Sequence, residues 1–332
     1  MSKEISLVTG ANGHLGNNLV RLLLAKNIKV RATVRNLKNQ APFKKLDCEV
    51  VYADITNKDS LRKAFFGVTN LYAVGANFNM WAKKPKEEIY NPNIIGTQNV
   101  FDIAYECGIK NIVFVSSVAS LDFTKLPANV SNGYNKDRRN WYYNSKNDSD
   151  KLALKLGSNY NIRTVLVLPS AMIGREAHKL SYSNGLVHKI IKGKIPVDTN
   201  ITLNWVDVND VACGMLNAML KGKNGARYIL ANQKHTTLQE SVKIASEAFP
   251  EFNLKTPKKV PKELLYGIAW LMEFTSKLSG KEPELQRHYL DMFYGLKQDY
   301  DISNSVNELD FKPKTSKKAL IDAIDYLKNE WN

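Results

Sequence analysis

The stretch Val8-Thr9-Gly10-Ala11-Asn12-Gly13-His14-Leu15-Gly16 decides the fold. Its glycines are spaced G-x-x-G-x-x-G. The apolar run Ile5 to Val8 before it predicts a buried strand, and Leu19-Val20-Arg21-Leu22-Leu23-Leu24 after it predicts a helix. A strand, a glycine turn and a helix start together make an anion site. Glycine is needed where the chain bends and where backbone must approach a pyrophosphate closely. Free N–H groups at the helix N-terminus then face the anion. Gly10, Asn12, Gly13, His14, Leu15 and Gly16 are therefore the expected cradle of a dinucleotide.

Composition narrows the rest. A chain of 332 residues, 44% of them hydrophobic, is long enough for about two domains. No apolar run reaches the roughly 20 residues of a membrane helix, and the chain enters its first strand directly, so neither a membrane partner nor a signal peptide is expected. Cys48, Cys107 and Cys213 are too scattered for disulfides or a metal site; they are expected as reduced thiols in a cytoplasmic protein. The net charge of +15 is spread as single lysines, with no long basic run and no basic–aromatic alternation. Nucleic acid is not the expected partner; a general positive field favours small anions.

Along the chain, Ile28 to Val34 alternates as a strand should and ends at Arg35. An acid at this point would bind the ribose 2′-hydroxyl of NAD, whereas an arginine suits the 2′-phosphate of NADP. Glu49 to Ala53 predicts a third strand followed by Asp54-Ile55. Asp54 can accept from an adenine amino group or cap the helix expected from Asn57 to Phe66. Asn70 to Gly75 predicts a fourth strand, with Gly75-Ala76 small enough to let a cofactor pass close to backbone. Phe78, Met80 and Trp81 beyond it could line a substrate pocket or pack in the core. A helix is expected from Ile94 to Cys107, then a strand from Asn111 ending in Ser116-Ser117.

The second anchor is Trp141-Tyr142-Tyr143-Asn144-Ser145-Lys146. Residues four apart share a helix face, so Tyr142 and Lys146 place a phenol beside an ammonium. A positive neighbour favours phenolate and is expected to lower the tyrosine pKa toward the range useful for acid–base chemistry. Tyr143, three from Lys146, is a rival.

These residues, in this order, resemble the extended short-chain dehydrogenases/reductases. The likeness is strongest to the dihydroflavonol 4-reductase-like branch, including the hopanoid-associated sugar epimerase group. Val30 to Arg35 resembles the reductases' second strand. Trp81-Ala82 through Asn93-Ile94-Ile95-Gly96-Thr97, and Asn204 through Ala212, resemble further family segments. The resemblance implies a doubly wound Rossmann α/β fold with a smaller, mostly helical C-terminal lobe. It implies residues 1–170 plus 202–233 as the NADP-binding domain and 171–201 plus 234–332 as the substrate lobe. It puts Ser117, Tyr142 and Lys146 in the catalytic places, with Lys146 also on the nicotinamide ribose. Pro169, ending the sixth strand (Ile162 to Leu168), is grouped with the cofactor contacts, and Asn93 is a candidate relay residue.

Departures are informative. Leu168-Pro169-Ser170-Ala171 stands where nucleotide-sugar epimerases have an Arg-Tyr-Phe-Asn run, which speaks against a sugar nucleotide. Asp150 replaces the usual Glu, and Ala73 a common histidine. In the lobe, the apolar stripe of Leu265 to Leu278, with Trp270, Leu271, Met272 and Phe274, could be a lipid-facing stripe or a dimer face, but is expected to be the lobe's own core, because amphipathic helices normally bury that stripe. The expected function is NADPH-dependent reduction of a small-molecule ketone or aldehyde, without a metal; the resemblance makes a homodimer plausible. The alternatives are an NAD-dependent nucleotide-sugar epimerase/dehydratase and a non-catalytic dinucleotide-binding sensor.

Overall fold

The computed structural model describes residues 4–77 and 81–331. Phe78 and Met80 lie outside the described residues. Seven parallel strands form the central sheet. They are β1 (Ile5–Val8), β2 (Lys29–Val34), β3 (Glu49–Tyr52), β4 (Asn70–Ala73), β5 (Asn111–Val115), β6 (Arg163–Pro169) and the edge strand Arg227–Leu230. The central ones are short apolar runs because both faces are covered. In β6, for example, Val165, Leu166, Val167 and Leu168 are fully buried.

The spatial order is Arg227–Leu230, β6, β5, β4, β1, β2, β3. Leu7 of β1 faces Arg31 of β2 on one side and Leu71 of β4 on the other. The winding direction therefore reverses at β1, and a crevice opens beyond the carboxyl ends of β1 and β4, where such sheets bind ligands. Helices α1 (His14–Ala25), α2 (Lys58–Phe65), α3 (Asn91–Glu106), α4 (Trp141–Asn159) and α6 (Val208–Lys221) cover the sheet. α1 packs with α6, and α3 with α2 and α4. Asn57, not Asp54, caps α2: its side chain accepts from Ser60 N at 3.0 Å.

A second apolar cluster unites Val187 and Ile190 of α5 (Tyr182–Ile191), Val242 of α7 (Leu238–Ala248), Trp205, and Leu320 and Ala323 of the helix Ser316–Glu330. α8 (Lys262–Ser279) joins a small separate cluster with Leu290 of α9 (Arg287–Phe293). Here the structure corrects the sequence reading. Leu265, Ala269 and Ser276 are the buried residues of α8, while Trp270, Leu271 and Phe274 are exposed. The helix is apolar on two sides, and the side facing the lobe is the narrower one. Among the described residues, no helix is long and apolar enough to cross a membrane.

Candidate active site

The glycine turn seats on the end of β4. Gly10 has φ +60°, a conformation that only glycine adopts cheaply. A Cβ there would lie 2.8 Å from Cα of Gly75, and a side chain on Gly16 would collide with the Gly10 carbonyl. Gly13 N donates to Gly10 O (3.0 Å), Ala11 N to Thr33 O (3.0 Å), and Gly75 N to the Thr9 hydroxyl (2.8 Å). Gly13 is the N-cap of α1 and has no side chain to occupy the first-turn N–H groups. This backbone-lined cradle fits a dinucleotide pyrophosphate at a helix N-terminus. Gly75 and Ala76 form its second wall.

The structure separates the candidate cradle residues by what their side chains do. Leu15 points into the main core, so its backbone faces the cradle. His14 turns its ring away: Nε2 lies 3.2 Å from Gly174 O and 3.0 Å from Arg175 O. Two carbonyls require an N–H there, so the ring is the neutral Nε2–H tautomer, and burial holds its pKa down at about 4. Asn18 also donates to Arg175 O (3.0 Å). The His14 side chain therefore ties the loop after the short strand Ala171–Ile173 to the cradle.

Arg31 within β2 and Arg35 just beyond its end part company. Arg31 is committed to Glu49 (2.7 Å) and to the carbonyls of Ala64 (2.8 Å) and Phe66 (2.6 Å). Arg35 is exposed and makes no ion pair among the described residues. Asp54 folds back, its Oδ1 accepting from Thr56 N (2.9 Å) and Thr56 Oγ1 (2.7 Å). Ile55 packs on Gly96, where any side chain would displace it, and its carbonyl accepts from Asn99 (3.0 Å).

Ser117 follows β5, and α4 delivers Tyr142 and Lys146 to it. Asn140 caps α4, its Oδ1 accepting from Tyr142 N (2.9 Å) and Tyr143 N (3.1 Å). That cap sets the rotation of the first turn. Tyr142 is hydrogen-bonded to Ser117, and this partner distinguishes it from Tyr143. The Tyr143 ring instead stands edge-on to Tyr142 (5.8 Å) and against Phe293 of α9 (5.7 Å). Lys146 is buried, with Nζ 5.9 Å from the Tyr142 ring centre and donating to Val115 O at 3.4 Å.

Electrostatics depart from the sequence expectation. The Tyr142 phenol is held above the usual tyrosine range: burial outweighs the Ser117 hydrogen bond, and the Asp150 charge adds to the rise. Burial also pulls Lys146 down to about 8, against the charge of Asp150. The ammonium does not overcome desolvation of the phenol, so Tyr142 is a protonated acid at neutral pH.

Asn93 is a clamp. Its side chain accepts from Asn77 N (2.7 Å) and donates to Asn77 O (3.1 Å) and Ser145 Oγ (3.0 Å), pinning the loop after β4 to α4. Pro169 ends β6 opposite Leu230. Sequence reasoning missed Arg227. It donates to Asp150 Oδ2 (3.3 Å) and Ser120 Oγ (2.8 Å), and its guanidinium lies 4.1 Å from the Tyr134 ring centre. This buried pair lies behind Lys146, and nothing local in the sequence marks it.

Residues 6–231 match the family model for the NAD dependent epimerase/dehydratase family. A Synechocystis protein named as a dihydroflavonol 4-reductase is 30% identical over 330 residues, 97% of this chain and 94% of its own. Sterol demethylase protein B of Methylococcus capsulatus is 27% identical over 97% of this chain and 98% of its own. The crystal structure of gox2253 superposes with a TM-score of 0.83 at 27% identity, covering 99% of both chains. The chain belongs to the NAD dependent epimerase/dehydratase family and is an NAD(P)-dependent oxidoreductase of the extended short-chain dehydrogenase/reductase type.

Proposed function

We propose that this member of the NAD dependent epimerase/dehydratase family is an NADPH-dependent reductase of a ketone or aldehyde on a flat, largely apolar substrate. The observation that carries the reading is the buried Tyr142–Lys146 pair, with half-buried Ser117 hydrogen-bonded to the phenol, beside the glycine cradle. The bound nicotinamide supplies the hydride. Tyr142, a phenol that burial holds above its usual range, donates its proton to the oxygen that becomes the alcohol. Ser117 orients the phenol and hydrogen-bonds the same oxygen as charge develops on it. Lys146, still mostly protonated at neutral pH, balances the phenolate left behind, and Asp150 helps it keep its proton. Arg35, exposed just beyond β2 and without an ion pair among the described residues, is offered to the 2′-phosphate of NADPH. Phe293, with Tyr289 at 6.2 Å, provides an aromatic roof over Tyr143. Relatives named as a dihydroflavonol 4-reductase and a sterol demethylase protein support a ring-bearing substrate.

The test is stopped-flow oxidation of NADPH against a panel of aryl and alicyclic ketones and aldehydes. Tyr142→Phe should slow the chemical step by roughly 10²-fold or more, the loss expected for a general acid, with NADPH affinity retained. An unchanged rate would remove Tyr142 from the chemistry.

A further inference from the structure

We propose that the outer face of α8 is a docking surface for an anionic lipid membrane, with the helix lying in the interface. One side of α8 packs on the lobe through Leu265 and Ala269, against Leu290. The other side carries Leu264, Leu271, Phe274 and Leu278, 51%, 56%, 51% and 77% exposed, with Gly267 in the same row. Their alternating three- and four-residue spacing lines them along one side of the helix for about 21 Å. Trp270 flanks the row and stacks on Phe274, ring centres 6.0 Å apart and planes 15° apart. Among the described residues, five of the fourteen exposed large apolar side chains lie on this one helix. Isolated exposed apolar residues need no explanation, but a contiguous row of five on one helix does.

Charge selects the occupant. Lys255, Lys258, Lys259 and Lys262 lead into the helix, and Lys277 and Lys281 leave it; all are exposed. Lys83 Nζ comes within 3.2 Å of the side-chain position of Gly280, at the helix C-terminus. Lys83, Lys255, Lys258, Lys259, Lys262, Lys277 and Lys281 make no ion pair among the described residues. The acids do not cancel them: Glu273 is held by Arg287 at 2.8 Å and Glu284 by Lys189 at 3.3 Å, leaving Glu263 and Glu282. Across residues 255–281, six lysines face two glutamates. An apolar row with Trp and Phe, bordered at both ends by exposed lysines, matches the chemistry of an anionic headgroup layer over acyl chains. A second copy fits less well. Pairing α8 with α8 would bring two lysine-rich edges together, and the row falls short of the ~800 Å² per partner of a stable interface. α9 links this face to the catalytic cleft: Leu290 packs on α8, and Phe293 covers Tyr143.

The experiment is co-sedimentation of the full chain with phosphatidylcholine vesicles, with and without about one-third phosphatidylglycerol. The wild type should bind the anionic vesicles at least ~10-fold more tightly than the neutral ones, with the difference shrinking in salt. Trp270→Ser/Phe274→Ser should lose ~10-fold or more, and Lys277→Ser/Lys281→Ser should lose the anionic preference. Brominated acyl chains should quench wild-type fluorescence more than that of Trp270→Phe. Circular dichroism and NADPH binding, unchanged in the variants, show that the fold is intact. Absence of vesicle binding, or equal binding by wild type and the Trp270/Phe274 variant, would overturn the proposal. So would a wild-type dimer in light scattering that the same variant dissociates. None of these readouts depends on turnover, so they stand or fall apart from the reductase reading.

Discussion

Replacing Arg35 by serine tests the proposed preference for NADPH over NADH. In the structure Arg35 is exposed and has no ion pair among the described residues, so its removal breaks no contact within the fold. A hydrogen bond between charged groups contributes about 1.5–3 kcal/mol. Solvent and salt reduce that at an exposed site, to about 1–2 kcal/mol here. NADPH should therefore bind roughly 5–30-fold more weakly to Arg35→Ser, with NADH affinity unchanged within about twofold. The assay is a nicotinamide fluorescence titration of cofactor-stripped protein at two salt concentrations, and the NADPH difference should narrow in high salt. Arg31→Ser is the control. It gives up Glu49 and the carbonyls of Ala64 and Phe66, so it should lower the Tm and leave the cofactor preference alone. If Arg35→Ser weakens both cofactors equally, or if NADH binds the wild type as well as NADPH does, the reasoning about Arg35 fails.

Gly10→Ala places a side chain at φ +60° and 2.8 Å from the backbone of Gly75, so it should cost roughly 1–3 kcal/mol of stability and abolish measurable dinucleotide binding; calorimetric titration checks this. Reductive kcat/KM should fall as pH rises through about 8, where Lys146 loses its proton. Because the Asp150 charge raises the Lys146 pKa, Asp150→Asn should move that fall to lower pH; a pH–rate profile that stays put contradicts the assignment. His14 is neutral in the folded protein down to about 4, whereas the unfolded chain protonates it near its ordinary 6.5. The unfolded state thus binds the extra proton first, and stability falls as pH drops between those values, by up to about 2 kcal/mol at pH 5. Urea unfolding of wild type and His14→Gln at pH 7 and 5 should show the smaller pH dependence in the variant.

The fold was readable because a doubly wound sheet announces itself locally. Each central strand is a run of apolar residues, and Gly10, Gly13 and Gly16 mark a turn with the close backbone approach that a dinucleotide cradle requires. Strand ends were less readable. β4 stops at Ala73 and β5 at Val115, before Gly75 and Ser117, because the chain leaves the sheet there to open the crevice. Tyr142 and Tyr143 were indistinguishable from spacing alone. The choice between them rests on Asn140, which fixes the start of α4, and on Ser117, which comes from another strand. Arg227 had no local signature, since its partner Asp150 lies 77 residues away in sequence. α8 misled because a helix apolar on two sides does not reveal which side meets its own lobe.

Tyr142, the proposed proton donor, shows how a spacing that brings two groups together can still mislead about the sign of a pKa shift. Four residues on a helix bring Lys146 near Tyr142, and proximity to an ammonium argues for a lowered phenol pKa. Burial acts on both groups at once, however. It raises the phenol and lowers the amine, so each moves toward its neutral form. At neutral pH the pair still rests as phenol and ammonium, because Asp150, paired with Arg227, holds the Lys146 pKa up at about 8 against burial. A resting phenol suits a proton donor, which is the reductive direction. Run in reverse, the same pair would have to give up the Tyr142 proton first, so the alcohol-oxidising rate should rise with pH over the range where the reductive rate falls. A parallel pH dependence in the two directions would mean that Tyr142 and Lys146 do not share the proton chemistry.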